Sequence, residues 1–237
     1  MTLVGVVAVK SSKNAMEHKF MHERPLLEVV HQDLPEVDWL KETFQEIRNV
    51  QFKFEDDPAF EGGAFYLPES DLHPPRIVIA AGGVERFARL KHSREDGVRA
   101  VALQLGIPFE QIDGKTIQCF ILFHEAGHAY DFLINFANGV DVKTATKEWR
   151  ANSNAQLNQL PLPGIAPAVL REDLTASGFD TWLAENPAYA ERCHSLGISK
   201  EVELLHVQEE AYRQLDKERY ADEFAVKALL RLSKSRD

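Results

Sequence analysis

The sequence predicts an α+β fold, with a small mixed sheet in the N-terminal part packed on one central helix and a mostly helical C-terminal part. Three observations carry this. Short runs with strand patterning are confined to about the first 110 residues, one mid-chain segment is apolar on almost every face, and the segments beyond it show helical spacing. A chain of 237 residues, 44% hydrophobic and 27% charged, can bury a core of its own. That composition fits a single domain over residues 1–237 that carries an insertion.

Residues 3–9 (Leu-Val-Gly-Val-Val-Ala-Val) read as a strand rather than a secretory segment, since no basic residue precedes them. In residues 35–50, Val37, Leu40, Phe44 and Ile47 recur three and four apart, as on one amphipathic helix. Residues 51–54, 64–67 and 76–80 read as strands, punctuated by Gly62-Gly63, Pro68, Pro74-Pro75 and Gly82-Gly83. Residues 84–105 have helical periodicity with a break near 93–97, which suggests a helix hairpin closing the N-terminal part (about 1–110).

The central helix spans about residues 114–136, with Asp113 or Thr116 as its N-cap. It does not read as a membrane span, because His124, Glu125 and His128 sit in the middle of its apolar length. Residues 137–198 turn to Asn, Gln, Pro and small side chains and read as an insertion, with Trp149 and Trp182 expected to anchor it. Its proline-rich stretch 160–167 can be read as a lid, an inhibitory segment or a plain linker. Residues 200–233 read as one long helix with at most one break and Ser199 as its N-cap.

Charge and cysteine usage narrow the partners. A formal net charge of −10 has the wrong sign for wrapping nucleic acid phosphate or docking on anionic lipid. Cys119 and Cys193 lie far apart in unlike contexts, so free thiols and a cytoplasmic location are expected.

The chemistry is concentrated in His124-Glu125-Ala126-Gly127-His128. Residues four apart on a helix project about 40° apart, so both imidazoles can reach one metal ion. Glu125, one step round, can take the proton of a water whose pKa the metal has lowered. A catalytic zinc needs a third protein ligand. Glu218 is the candidate, because Ala211, Ala225 and Leu229 place it in the middle of an apolar stripe of the last helix. Burying a carboxylate there is costly unless it is paired or bound to metal. The competing reading is a surface glutamate paired with Lys217, Arg213 or Arg219, and Glu209, Glu210 and Glu223 compete as ligands without an equivalent stripe. Asp222, one turn on, is placed to accept a hydrogen bond from a ligating histidine.

Through His124-Glu125-x-x-His128 and Glu218-x-x-Ala221-Asp222 the chain resembles the gluzincin metallopeptidases, notably the HtpX-like, ImmA/IrrE-like and anthrax lethal factor-like enzymes. The resemblance covers two helices and implies a zincin-like fold, in which an edge strand lies over the cleft and binds peptide by strand addition. Residues 76–80 fit that edge strand. The lethal factor-like enzymes also place a tyrosine upstream of the ligand glutamate to stabilise the oxyanion, and Tyr212 is the nearest match. On one continuous helix, however, Tyr212 would point about 120° away from Glu218. The expectation is therefore a zinc-dependent peptidase acting on a peptide or protein substrate, with one Zn2+ on His124, His128 and Glu218 and with Glu125 as general base. The alternative is a catalytically inactive binding or regulatory protein on the same scaffold.

Overall fold

The computed structural model describes residues 29–30, 33–56, 62–67, 74–171, 178–197 and 201–235. The strand expected at residues 3–9 and the cap expected at Ser199 lie outside them. The fold is mixed α+β, with the strands in the N-terminal part and helices dominating the rest.

Helix α1 (Pro35–Thr43) is shorter than its periodicity suggests. At Phe44 the backbone leaves the helical region, and a 3-10 turn, Gln45–Ile47, follows. The departure swings the Phe44 ring onto Phe224, with centroids 4.7 Å apart, and onto Tyr130 at 6.0 Å. Aromatic burial at the main core outweighs one more turn of α1.

The sheet comprises β1 (Val29–Val30), β2 (Gln51–Glu55), β3 (Gly63–Tyr66) and β4 (Arg76–Ala80), in the order β1-β2-β4-β3. β2 and β4 run parallel, while β3 is antiparallel to β4 in the register Gly63↔Ile79 to Tyr66↔Arg76. The edges are therefore β1 and β3, with β3 on the cleft side, which corrects the expectation that residues 76–80 would hold that place. The physical reason lies in the residues themselves. Ile77, Val78, Ile79 and Ala80 are all buried, and such a run without alternation marks a strand covered on both faces.

Helices α2 (Val84–Ser93) and α3 (Glu95–Leu105) form the expected hairpin, broken at Arg94. The central helix α4 (Gly114–Asp131) starts at Asp113, whose Oδ1 accepts the Thr116 N–H at 2.7 Å. It runs on into a π-helical turn, Phe132–Phe136. Its Leu122, Phe123, Ala126 and Ala129 join the main core with Ile77 and Ile79 of the sheet and with Phe224, Ala225 and Ala228 of the last helix.

Helices α5 (Val142–Leu157), α6 (Phe179–Glu185) and α7 (Pro187–Ser195) lie in the insertion. Trp182 anchors a separate small core with Leu162, Ile165, Leu170, Cys193 and Leu204. Trp149 does something else: its ring meets Phe65 of β3 at 5.8 Å and Phe132 at 6.3 Å, and so braces α5 against the edge strand. The C-terminal segment is two helices, α8 (Glu201–Arg213) and α9 (Asp216–Lys234). Buried Gln208 on α8 holds the proline-rich stretch, since its amide donates to Leu162 O and Ile165 O while its oxygen accepts from Leu162 N.

The most extensive helix contact is α4 on α9. A Cβ at Gly127 would lie 2.8 Å from Ala221 Cα and 3.1 Å from Ala221 O. Gly127→Ala would gain up to about 1 kcal/mol of helix propensity. It would also push a methyl group into main-chain atoms that cannot rotate away, an overpacking that typically costs about 1–3 kcal/mol. We expect net destabilisation in urea-induced unfolding; a variant at least as stable as the wild type would refute this contact.

Candidate metal centre

The Gly127–Ala221 contact brings the polar faces of α4 and α9 together. His124 and His128, one turn apart on α4, point their Nε2 atoms at each other 3.1 Å apart, with ring planes 89° to one another. Glu218, in the first turn of α9, places Oε2 3.3 Å from His124 Nε2 and 3.6 Å from His128 Nε2. These three residues form one converging cluster that could hold a metal ion. Asp222, one turn beyond Glu218, takes the other ring nitrogen of His124 at 2.8 Å, which fixes the imidazole's orientation. Glu218 is buried at 4% exposure, so the solvated-surface reading does not apply to it. Of the competing acids, Glu209 reaches the cleft but is engaged by Arg171 at 3.1 Å.

Glu125 lies beside the cluster under the edge strand. Gly63 of β3 is closed against it: a Cβ there would fall 2.6 Å from Glu125 Cγ and 2.9 Å from Ile79 Cδ1. A backbone hydrogen bond from Phe65 reaches the Glu125 carboxylate. Burial pushes its pKa up, partly opposed by the two histidines.

Tyr212 also reaches the site. The two residues between α8 and α9 break the helix, so the 120° offset of a continuous helix does not hold, and Tyr212 lines the same cleft as Glu218. Burial and the Glu218 carboxylate hold its phenol well above the usual tyrosine range, so it stays a hydrogen-bond donor. Cys119 is a free thiol buried in the main core, outside the cluster.

Several cleft residues had no sequence signal. Gly63, Phe65 and Trp149 come from the edge strand and α5, Arg171 from the insertion, and Arg94, Arg213 and Lys217 from helix ends. Lys217 Nζ lies 3.4 Å from Glu218 Oε1, an oxygen that makes no hydrogen bond although it is buried. Lys217 and Arg213 are legible in the sequence only as ion-pair partners of Glu218, and the others become neighbours of the site only on folding.

No protein-family model matches the chain, and no solved structure matches it. Assignment therefore rests on the residues themselves.

Burial opposes a charged His124, but its hydrogen bonds to Asp222 and Glu218 win and raise it from 6.5 to about 10. Glu218 shifts the opposite way: burial is outweighed by the two histidines, and its pKa falls well below the usual range. The metal-free centre thus carries an imidazolium at neutral pH, and a cation must displace that proton. A raised folded-state pKa stabilises fully below 6.5, the stabilisation being lost as pH rises through about 10. Cation affinity therefore rises with pH up to about 10, where the competing proton is gone. Calorimetric titration of metal-free protein at pH 8 in buffers of different ionisation enthalpy should show about one proton released per cation bound. No release would contradict this electrostatic account.

Proposed function

We propose that the chain is a zinc-dependent metallopeptidase of the gluzincin type, with a zincin-like arrangement of sheet, central helix and ligand helix. The observation that carries the proposal is the spacing of the three donors. Tetrahedral ligands at zinc distances of about 2.0–2.1 Å stand about 3.3 Å apart, and the observed separations are 3.1, 3.3 and 3.6 Å. Two imidazoles and a carboxylate converging at that spacing make a donor set suited to a cation. The ligand set also matches a catalytic site, which takes three protein groups and leaves one position open.

His124, His128 and Glu218 would hold the ion. Bound there, zinc polarises a substrate carbonyl and lowers the pKa of a nearby water. Glu125, buried and with a raised pKa, takes the proton of the attacking water and passes it to the departing amine. Tyr212 donates its phenol hydrogen to the carbonyl oxygen as negative charge develops there. Asp222 holds the His124 ring in place through its other nitrogen.

The edge strand β3 suits a peptide. Ala80 N–H donates to Gly62 O at 2.9 Å, so antiparallel alternation turns the backbone groups of Gly63 and the Phe65 carbonyl away from β4 and toward the cleft, while the Phe65 N–H is held by the Glu125 carboxylate. An extended peptide can add there as a further strand. The cleft is about 400 Å³, ample for several residues of an extended chain.

Glu125→Gln keeps the size of the side chain and removes the base. With zinc still bound, hydrolysis of an unstructured protein or quenched peptide library should fall by about 100-fold or more. Unchanged hydrolysis would remove Glu125 from the mechanism. A zinc-loaded wild type without peptidase activity on broad libraries would favour the binding-protein alternative.

A further inference from the structure

A second cavity opens off the cleft one helical turn from the histidines. Leu90, Val98, Val101, Ile112, Ile117 and Phe120 line it, and it measures about 90 Å³. At roughly 10–15 Å³ per water that is space for about six waters, and an apolar wall makes hydrocarbon the better occupant. Arg94, Phe120, Ile121 and Arg213 border both this cavity and the cleft and so form the neck between them. Phe120 stands 6.1 Å, ring to ring, from His124. At about 3.3 Å per extended residue, a side chain entering the neck belongs to a residue within about two positions of the metal centre.

The neck is cationic. The Arg213 guanidinium lies across α3 at Gly97, where any Cβ would collide with it, and stands 3.8 Å from Asp222 Oδ2, beyond hydrogen-bond length. Among the described residues, Arg94, Arg171, Arg213 and Lys217 line the cleft against Glu125, Glu209, Glu218 and Asp222. These charges balance, so a divalent cation at the centre leaves the cleft net positive in a chain of net charge −10. The overall charge therefore repels acidic ligands while the cleft attracts them.

Taking the peptide-binding cleft from the reading above, we propose that this neck and cavity form a recognition subsite for a large apolar side chain next to a carboxylate. The cavity takes the side chain and Arg213 takes the carboxylate. That carboxylate comes from an acidic residue or from a peptide C-terminus.

Calorimetry on the zinc-loaded Glu125→Gln protein tests this without requiring turnover. Acetyl-Leu-Asp-amide should bind roughly tenfold or more tighter than acetyl-Leu-Asn-amide or acetyl-Ala-Asp-amide. Arg213→Met should erase the Asp preference and keep the Leu preference, whereas Val101→Phe, which fills the cavity, should do the reverse. Comparing acetyl-Leu with acetyl-Leu-amide shows whether a terminal carboxylate serves. Equal affinities across the series overturn the proposal, as does an Asp preference that survives Arg213→Met, since the metal would then be holding the carboxylate. Selective binding by a protein whose wild type cleaves no peptide would sink the hydrolytic reading and leave the subsite standing; unselective cleavage would do the opposite.

Discussion

Everything at the centre depends on how closely α4 can lie against α9. The histidines and Glu218 are carried on different helices some ninety positions apart in sequence, and the Glu218 carboxylate meets the imidazoles at 3.3 and 3.6 Å because glycine faces alanine where the helices touch. A larger residue at Gly127 or Ala221 would separate the axes, and the polar atoms would part with them. The small residues inside the motif thus set its geometry as much as the ligands set its chemistry.

Close approach also buries charge. Glu125, His128 and Glu218 are all nearly inaccessible, and isolated charges there would be strongly unfavourable. The structure offsets this by mutual pairing: Asp222 and Glu218 on His124, and Lys217 beside the otherwise unbonded Glu218 oxygen. Around this core the edge strand, α5 and the insertion form the cleft walls, with Trp149 and Gln208 as the two fixings that hold them. The break between α8 and α9 lets Tyr212 and Arg213, at the end of one helix, and Glu218, at the start of the next, face one cavity.

Much of this could be read in the sequence. His124, Glu125 and His128 were legible from spacing on one helix, and Glu218 and Asp222 from a carboxylate in the middle of an apolar stripe. The α+β division followed from where strand patterning stops. Strand order is not legible, since an unbroken apolar run shows burial but not neighbours; the composition of 76–80 fits the centre of the sheet and not its edge. Tyr212 was masked by a helix break that no glycine or proline marks. Trp149 was assigned to its own segment because aromatic partners across the fold, Phe65 and Phe132, leave no local pattern. The cationic neck likewise exists only once α3, α4 and α8 are assembled. Among the described residues no helix is long and apolar enough to cross a membrane, in keeping with the polar interruption of the central helix.

We propose that two helices converge to hold one zinc ion through His124, His128 and Glu218. The most direct measurement is zinc content per chain after zinc loading and exhaustive dialysis, on the wild type and on Glu218→Ala, with folding checked by circular dichroism. Close to one zinc is expected in the wild type and little or none in a folded Glu218→Ala. A folded wild type that retains no zinc, or a Glu218→Ala protein that retains as much as the wild type, would contradict it.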